Sequence, residues 1–145
     1  MDQMKLLSTT VELALDLLEK NGDFIPFCKA VSEAGEKFIY QAGAGGPCTH
    51  EEGYQSIVFH AKKDLTSRDL KGVAFCQHYW VRFAANEDKV PAIKIELHYK
   101  GQPAKHWYFL YKLEGKQAEV LEYFPNPADE DLFAPTNPGP GESAQ

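Results

Sequence analysis

Positive charge is the first thing this sequence has little of. Lys and Arg number 15 against 21 Asp and Glu, a formal net charge of −6. Nucleic-acid binding rests on Lys and Arg neutralising phosphates, and an anionic membrane surface makes a similar demand, so neither is expected as a partner. Cysteine is scarce too. Cys28, Cys48 and Cys76 are an odd number at irregular spacing, which is no disulfide framework. No apolar run approaches the ~20 residues of a membrane span. Asp2, Glu12, Asp16 and Glu19 interrupt the leucines near the N-terminus, unlike a secretory signal. The expected compartment is a reducing cytoplasm. The glycine-rich stretch 42–47, AGAGGP, lacks the Gly-Lys-Ser/Thr ending of a phosphate loop, and no C-x-x-C or H-E-x-x-H spacing occurs. No cofactor is implied, and no catalytic motif stands out.

What is there is a foldable pattern. The 145 residues suit one domain, and 43% hydrophobic content is ample for a core. A chain of this length buries roughly 68% of its unfolded surface. Residues 2–20 carry Leu7, Val11, Ala14, Leu15 and Leu18 as one helical stripe. A capping box at Thr9–Glu12 offers a later start, and Asn21-Gly22 is a good stop. Stretches 24–32 and 37–41 flank Glu33-Ala34-Gly35-Glu36 and read as a β-hairpin. Pro26 confines the first of these strands to an edge, or delays its start. Thr49-His50-Glu51-Glu52 is a second capping box, opening a helix to about Leu65.

Four strands follow, over 73–84, 90–100, 105–112 and 117–124, joined by pieces short enough to demand antiparallel neighbours. The expected fold is α+β: two main helices packed on a mostly antiparallel sheet, made of an N-terminal β-hairpin and a C-terminal four-stranded meander. Residues 1–125 form the domain and 126–145 a proline- and glycine-rich acidic tail, in which Leu132-Phe133 is able to dock locally.

Alternation splits the strands into two faces. Val73, Phe75, Tyr79, Val81 and Phe83 are expected beside Ile93, Ile95, Leu97, Tyr99, Trp107, Phe109, Tyr111, Leu121 and Tyr123, where both helices should pack. The other face holds Cys76, His78, Trp80, Arg82, Glu96, His98, His106, Tyr108 and Glu122. Symmetric turns would pair Trp80 with Lys94, His78 with Glu96, Cys76 with His98, His98 with His106, Glu96 with Tyr108 and Tyr108 with Glu122. Two rows result, Cys76-His98-His106 and His78-Glu96-Tyr108-Glu122. A slip of one residue in any hairpin destroys both.

The first row has zinc-ligand chemistry, but its outer members stand about 9–10 Å apart at the backbone, and a solvated or covered face competes with that reading. The second row offers a histidine–carboxylate pair for acid–base work, against ordinary cross-strand pairing. Cys76 lacks a helix N-terminus to activate it and reads as an inert thiol, as does Cys28. Cys48, just before a helix start, is the better reactivity candidate. Trp80, Tyr108, Phe124 and Arg82 suggest a contact surface, since aromatics and Arg are enriched in binding hot spots. The competing reading has the N-terminal hairpin or the tail covering this face.

The segment Gly22-Asp23-Phe24-Ile25-Pro26-Phe27, following a leucine-rich helix, resembles the opening of a family of small acidic bacterial proteins with a G-x-F-x-P-F segment. Val90–His98 and Tyr108–Tyr111 look like the later part of that pattern, so the likeness covers most of 10–115. Some such proteins look like immunity proteins, which neutralise a toxin. The resemblance implies no catalytic residues. The leading expectation is a non-enzymatic, immunity-like binding protein with a basic protein partner. Its candidate binding residues are His78, Trp80, Arg82, Glu96, His98, His106, Tyr108 and Glu122. The alternatives are a small-molecule-binding protein or cryptic enzyme built on the His/Glu/Tyr row, and a homodimer through the aromatic face.

Overall fold

The first helix, α1 (Gln3–Asn21), begins at Asp2, whose side chain accepts from the Lys5 N–H at 2.8 Å. Thr9 is therefore interior, and its hydroxyl donates to the Lys5 carbonyl instead of capping. The helix ends as expected, at Gly22 in the left-handed region with φ 78°, its N–H returning to the Leu18 carbonyl. These coordinates come from a computed structural model that describes residues 2–42, 49–83, 87–128 and 130–133. Cys48 and most of the tail lie outside the described residues. Strand β1 (Phe27–Ser32) starts just after Pro26, and β2 (Lys37–Gln41) returns antiparallel to it. The second helix, α2 (His50–Ser67), carries the full Thr49–Glu52 capping box.

Strands β3 (Leu70–Val81), β4 (Val90–Tyr99), β5 (Gln102–Glu114) and β6 (Gln117–Pro127) complete one six-stranded antiparallel sheet, ordered β2-β1-β3-β4-β5-β6. The α+β class is as expected. Strand β1 is interior, not an edge, because β3 takes its second side. The outer strands are β2 and β6. Pro125 and Pro127 stand near the end of β6, opposite Trp107 and Lys105.

The register departs from the symmetric turns. His78 lies opposite Ile93, Cys76 opposite Ile95 and Trp80 opposite Pro91. That is three residues from the expected pairing, an odd number, so β3 presents the opposite set of side chains relative to β4. In β4–β5 the Tyr99–Gln102 pair closes the turn on Lys100-Gly101, and an irregularity between Leu97 and Tyr99 places Glu96 opposite His106. In β5–β6 Tyr108 faces Phe124 and Leu110 faces Glu122.

The consequence is a layer on each side of the sheet. Helix α1 lies across β1, β3, β4 and β6, burying Leu6, Leu7, Val11, Ala14 and Leu18 against Ala74, Cys76, Ile93, Ile95, Leu97 and Phe109. Helix α2 lies over β1, β2 and β3 on the other side, burying Ile57 and Ala61 against Cys28, Ala30, Val73 and Phe75. The single shared apolar face is thus corrected. Val73 and Phe75 belong to the α2 side, and Ile93, Ile95 and Leu97 to the α1 side. Each large side chain buried in either layer contributes about 1.5–3 kcal/mol. No helix among the described residues is long and apolar enough to cross a membrane.

Candidate functional site

On the α2 side, β4 and β5 carry polar and aromatic side chains where α2 gives out. Glu96 and His106 are cross-strand partners, and His98 is two residues along β4 from Glu96 on the same side. His98 is fully buried, and its Nε2 lies 2.6 Å from Glu96 Oε2. His106 Nε2 is 3.6 Å from Glu96 Oε1, and the Tyr54 hydroxyl of α2 donates to the same oxygen at 3.5 Å. Burial alone would push the Glu96 carboxyl up. The hydrogen bond with His98 and the nearby His98, His106 and Lys94 outweigh it and hold the group below its ordinary value. Burial and the Glu96 carboxylate push the Tyr54 hydroxyl up, so it keeps its proton.

The C-terminal segment closes over this cluster. The Leu132 N–H donates to His98 Nδ1 at 3.2 Å, Lys62 pairs with Glu130 at 3.2 Å, and Leu132 and Phe133 pack against the buried cluster that α2 covers. Docking at Leu132-Phe133 was therefore legible. Its seat on a buried histidine was not.

One row along, the side chains are aromatic. Tyr79 and Tyr108 have ring centroids 5.4 Å apart, Tyr108 stacks on Phe124 at 5.3 Å, and Phe124 meets Phe83 at 6.2 Å. The Lys94 ammonium sits 5.0 Å from the Tyr79 ring centroid. Tyr79 is 40% exposed and Phe83 58% exposed. This ladder crosses β3, β5 and β6 and leaves its outer end in water.

Neither expected row forms. Cys76 and His78 fall on the α1 side, away from Glu96, His98 and His106, because of the odd register shift. Cys76 faces Ile95 and is fully buried. Burial, with Cys28 adding to it, pushes its thiol well up, as burial does for Cys28. Among the described residues, no group of three or more His, Cys, Asp or Glu side chains is placed to hold a metal ion. Glu96 does join His98 and His106, a grouping the expected pairings missed. Tyr108 belongs to the ladder, and Glu122 is exposed opposite Leu110. Arg82 is exposed just beyond β3.

His78 has a site of its own. Its Nε2 and the Tyr111 hydroxyl share a 2.7 Å hydrogen bond, with Phe24 and Trp80 packed edge-on against the imidazole. Burial holds His78 below its ordinary range; Asp23 opposes this and His50 assists it. A cleft of about 580 Å³ lies here, lined by Asp23, His50, His78, Trp80, Tyr111 and Leu113 among others. Trp80 is 54% exposed at its wall.

No family model matches this chain, and no match to it is found among curated proteins or solved structures.

Proposed function

We propose that this chain is a non-enzymatic binding protein of the immunity type, engaging a basic protein through the Tyr79–Tyr108–Phe124–Phe83 ladder. The observation that carries this reading is that rings of this size, stacked on a rigid sheet, stay half in water at Tyr79 and Phe83. Rigid aromatic anchors are the side chains that dominate binding energy. The net charge of −6 favours a basic partner and speeds its encounter. The likeness to small acidic proteins with a G-x-F-x-P-F segment agrees in kind. Here Phe24 and Phe27 of that segment are buried core, so the likeness speaks to fold. The reducing cytoplasm belongs to the same proposal, supported by Cys28 and Cys76 as buried free thiols.

The test is affinity capture from the source cells, with Phe83→Ala and Phe124→Ala as variants and Leu121→Ala as an exposed control. A stoichiometric basic protein that is lost with the ladder variants and kept by the control supports the reading. Capture that ignores the ladder refutes it. Sedimentation at rising concentration separates out a homodimer through the same rings, which the ladder variants would dissolve.

A second reading is small-molecule binding in the His78 cleft, where Asp23, His50, His78 and Tyr111 line a space of about 580 Å³. A ligand there would change Trp80 fluorescence, and His78→Ala would abolish the change.

A further inference from the structure

We infer that the C-terminal segment 130–133 is a proton-sensitive strap, latched by neutral His98 and released when that imidazole takes a second proton. The geometry fixes the tautomer. A neutral imidazole has one N–H, and the Leu132 amide donates into Nδ1, so the proton is on Nε2, where it meets Glu96 Oε2 at 2.6 Å. A second proton has one place to go, and that is Nδ1. There it would set N–H against N–H, and the Leu132 bond is lost. The imidazolium itself would remain in place, because the Glu96 carboxylate is its immediate neighbour.

The groups around His98 decide which partner leaves. From β4 comes Glu96, and from β5 His106, 3.6 Å from the same carboxylate. From α2 come Tyr54, whose hydroxyl donates to Glu96, and Lys62, which holds Glu130. From β3 the Phe75 ring meets the imidazole edge-on at 5.8 Å. The strap brings Glu130 and Asp131, and the Asp131 carboxylate accepts from the Phe133 N–H. The carboxylate facing the imidazole directly is Glu96, on the sheet. A new positive charge is therefore held by the sheet, while the strap loses its acceptor.

The sign follows. The docked strap binds neutral His98, so docking is favoured while Nδ1 is unprotonated and is opposed by a proton there. Opening would uncover Glu96, His98 and His106, directly beside Lys94 and Tyr108 of the aromatic ladder. The inference does not depend on what that ladder binds.

The experiment is NMR on the full chain. The His98 ring nitrogens report the tautomer, and amide exchange reports the Leu132 protection factor. Between a neutral and an acidic pH that protection is expected to fall at least about tenfold, while the core amides of Ile95 and Leu97 hold theirs. His98→Asn keeps an acceptor near Nδ1 and removes the titration, so its Leu132 protection is expected to be the same at both values. If that variant does not fold, Leu132→Pro removes the donor, and its Phe133 protection factor at high pH is expected to match the low wild-type value at low pH. A proton found on Nδ1 at high pH overturns the strap. So does equal protection at both pH values, a parallel loss in the core amides, an unchanged fall in His98→Asn, or a Phe133 protection factor in Leu132→Pro equal to that of wild type at high pH.

Discussion

The Tyr99 ring lies over Gly72, directly across the β3–β4 pair. A Cβ added at Gly72 would stand 2.7 Å from Tyr99 Cδ2, 2.9 Å from its Cε2 and 3.0 Å from Leu6 Cδ2. Gly72→Ala must therefore push the ring and α1 outward. The expected cost is about 1–3 kcal/mol, read as a lower urea midpoint. Combining it with Tyr99→Leu should recover part of that loss. Additive losses would show that the ring is not what excludes the methyl group.

The Glu96 carboxylate makes stability pH-dependent. Its folded value lies below the ordinary 4.5, so the stabilisation is present above the unfolded value and is lost as pH falls through the folded one. Glu96→Ala leaves a buried imidazole N–H without its acceptor and is expected to cost about 1–3 kcal/mol near neutrality. The gap between wild type and variant should close in acid, below the ordinary carboxyl range. Urea titrations across pH measure it.

Helix α2 depends on its first turn. Thr49 accepts from the Glu52 N–H at 3.0 Å, and Glu52 returns the bond to the Thr49 N–H at 2.9 Å. Thr49→Ala is expected to cost about 1 kcal/mol, and Thr49→Asp much less. Thermal melts of the three proteins check the order.

The thiols of Cys28 and Cys76 are fully buried, and burial pushes both up. Thiolate is the reactive species. A Cys48→Ser protein should therefore show no fast-reacting thiol with a disulfide reagent when native, and should release Cys28 and Cys76 on denaturation. Rapid labelling of the native variant would contradict the burial of both strands.

Much of the fold was legible because its signals are local. Asn21-Gly22, Pro26, Thr49–Glu52 and the alternation in β3 to β6 each act over a few residues. The caps and strand existence followed from them. Register did not, because it is set where strands meet. The 82–89 connection places His78 opposite Ile93, three residues from a symmetric turn, and that odd offset exchanges the faces of β3 relative to β4. Cys76, His78 and Trp80 were misplaced by that offset, while Tyr108 and Glu122 left their expected row through shifts in β4–β5 and β5–β6. Glu96, His98 and His106 stay on one face because β4 and β5 slipped by an even number, which preserves faces. Tyr79 and Phe83 were assigned to the core because they sit on the same side of β3 as Val73 and Phe75. Nothing local says that α2 stops short of them.

The two prolines that end β6 blunt part of one rim of the sheet. Pro125 and Pro127 have no amide hydrogen, so the last stretch of that rim offers an incoming chain few donors. At the opposite rim β2 is only 5 residues long. At both margins the backbone open to strand addition is thus limited in length. A chain that added itself to this sheet would find less backbone to pair with than the 11 residues of β6 suggest.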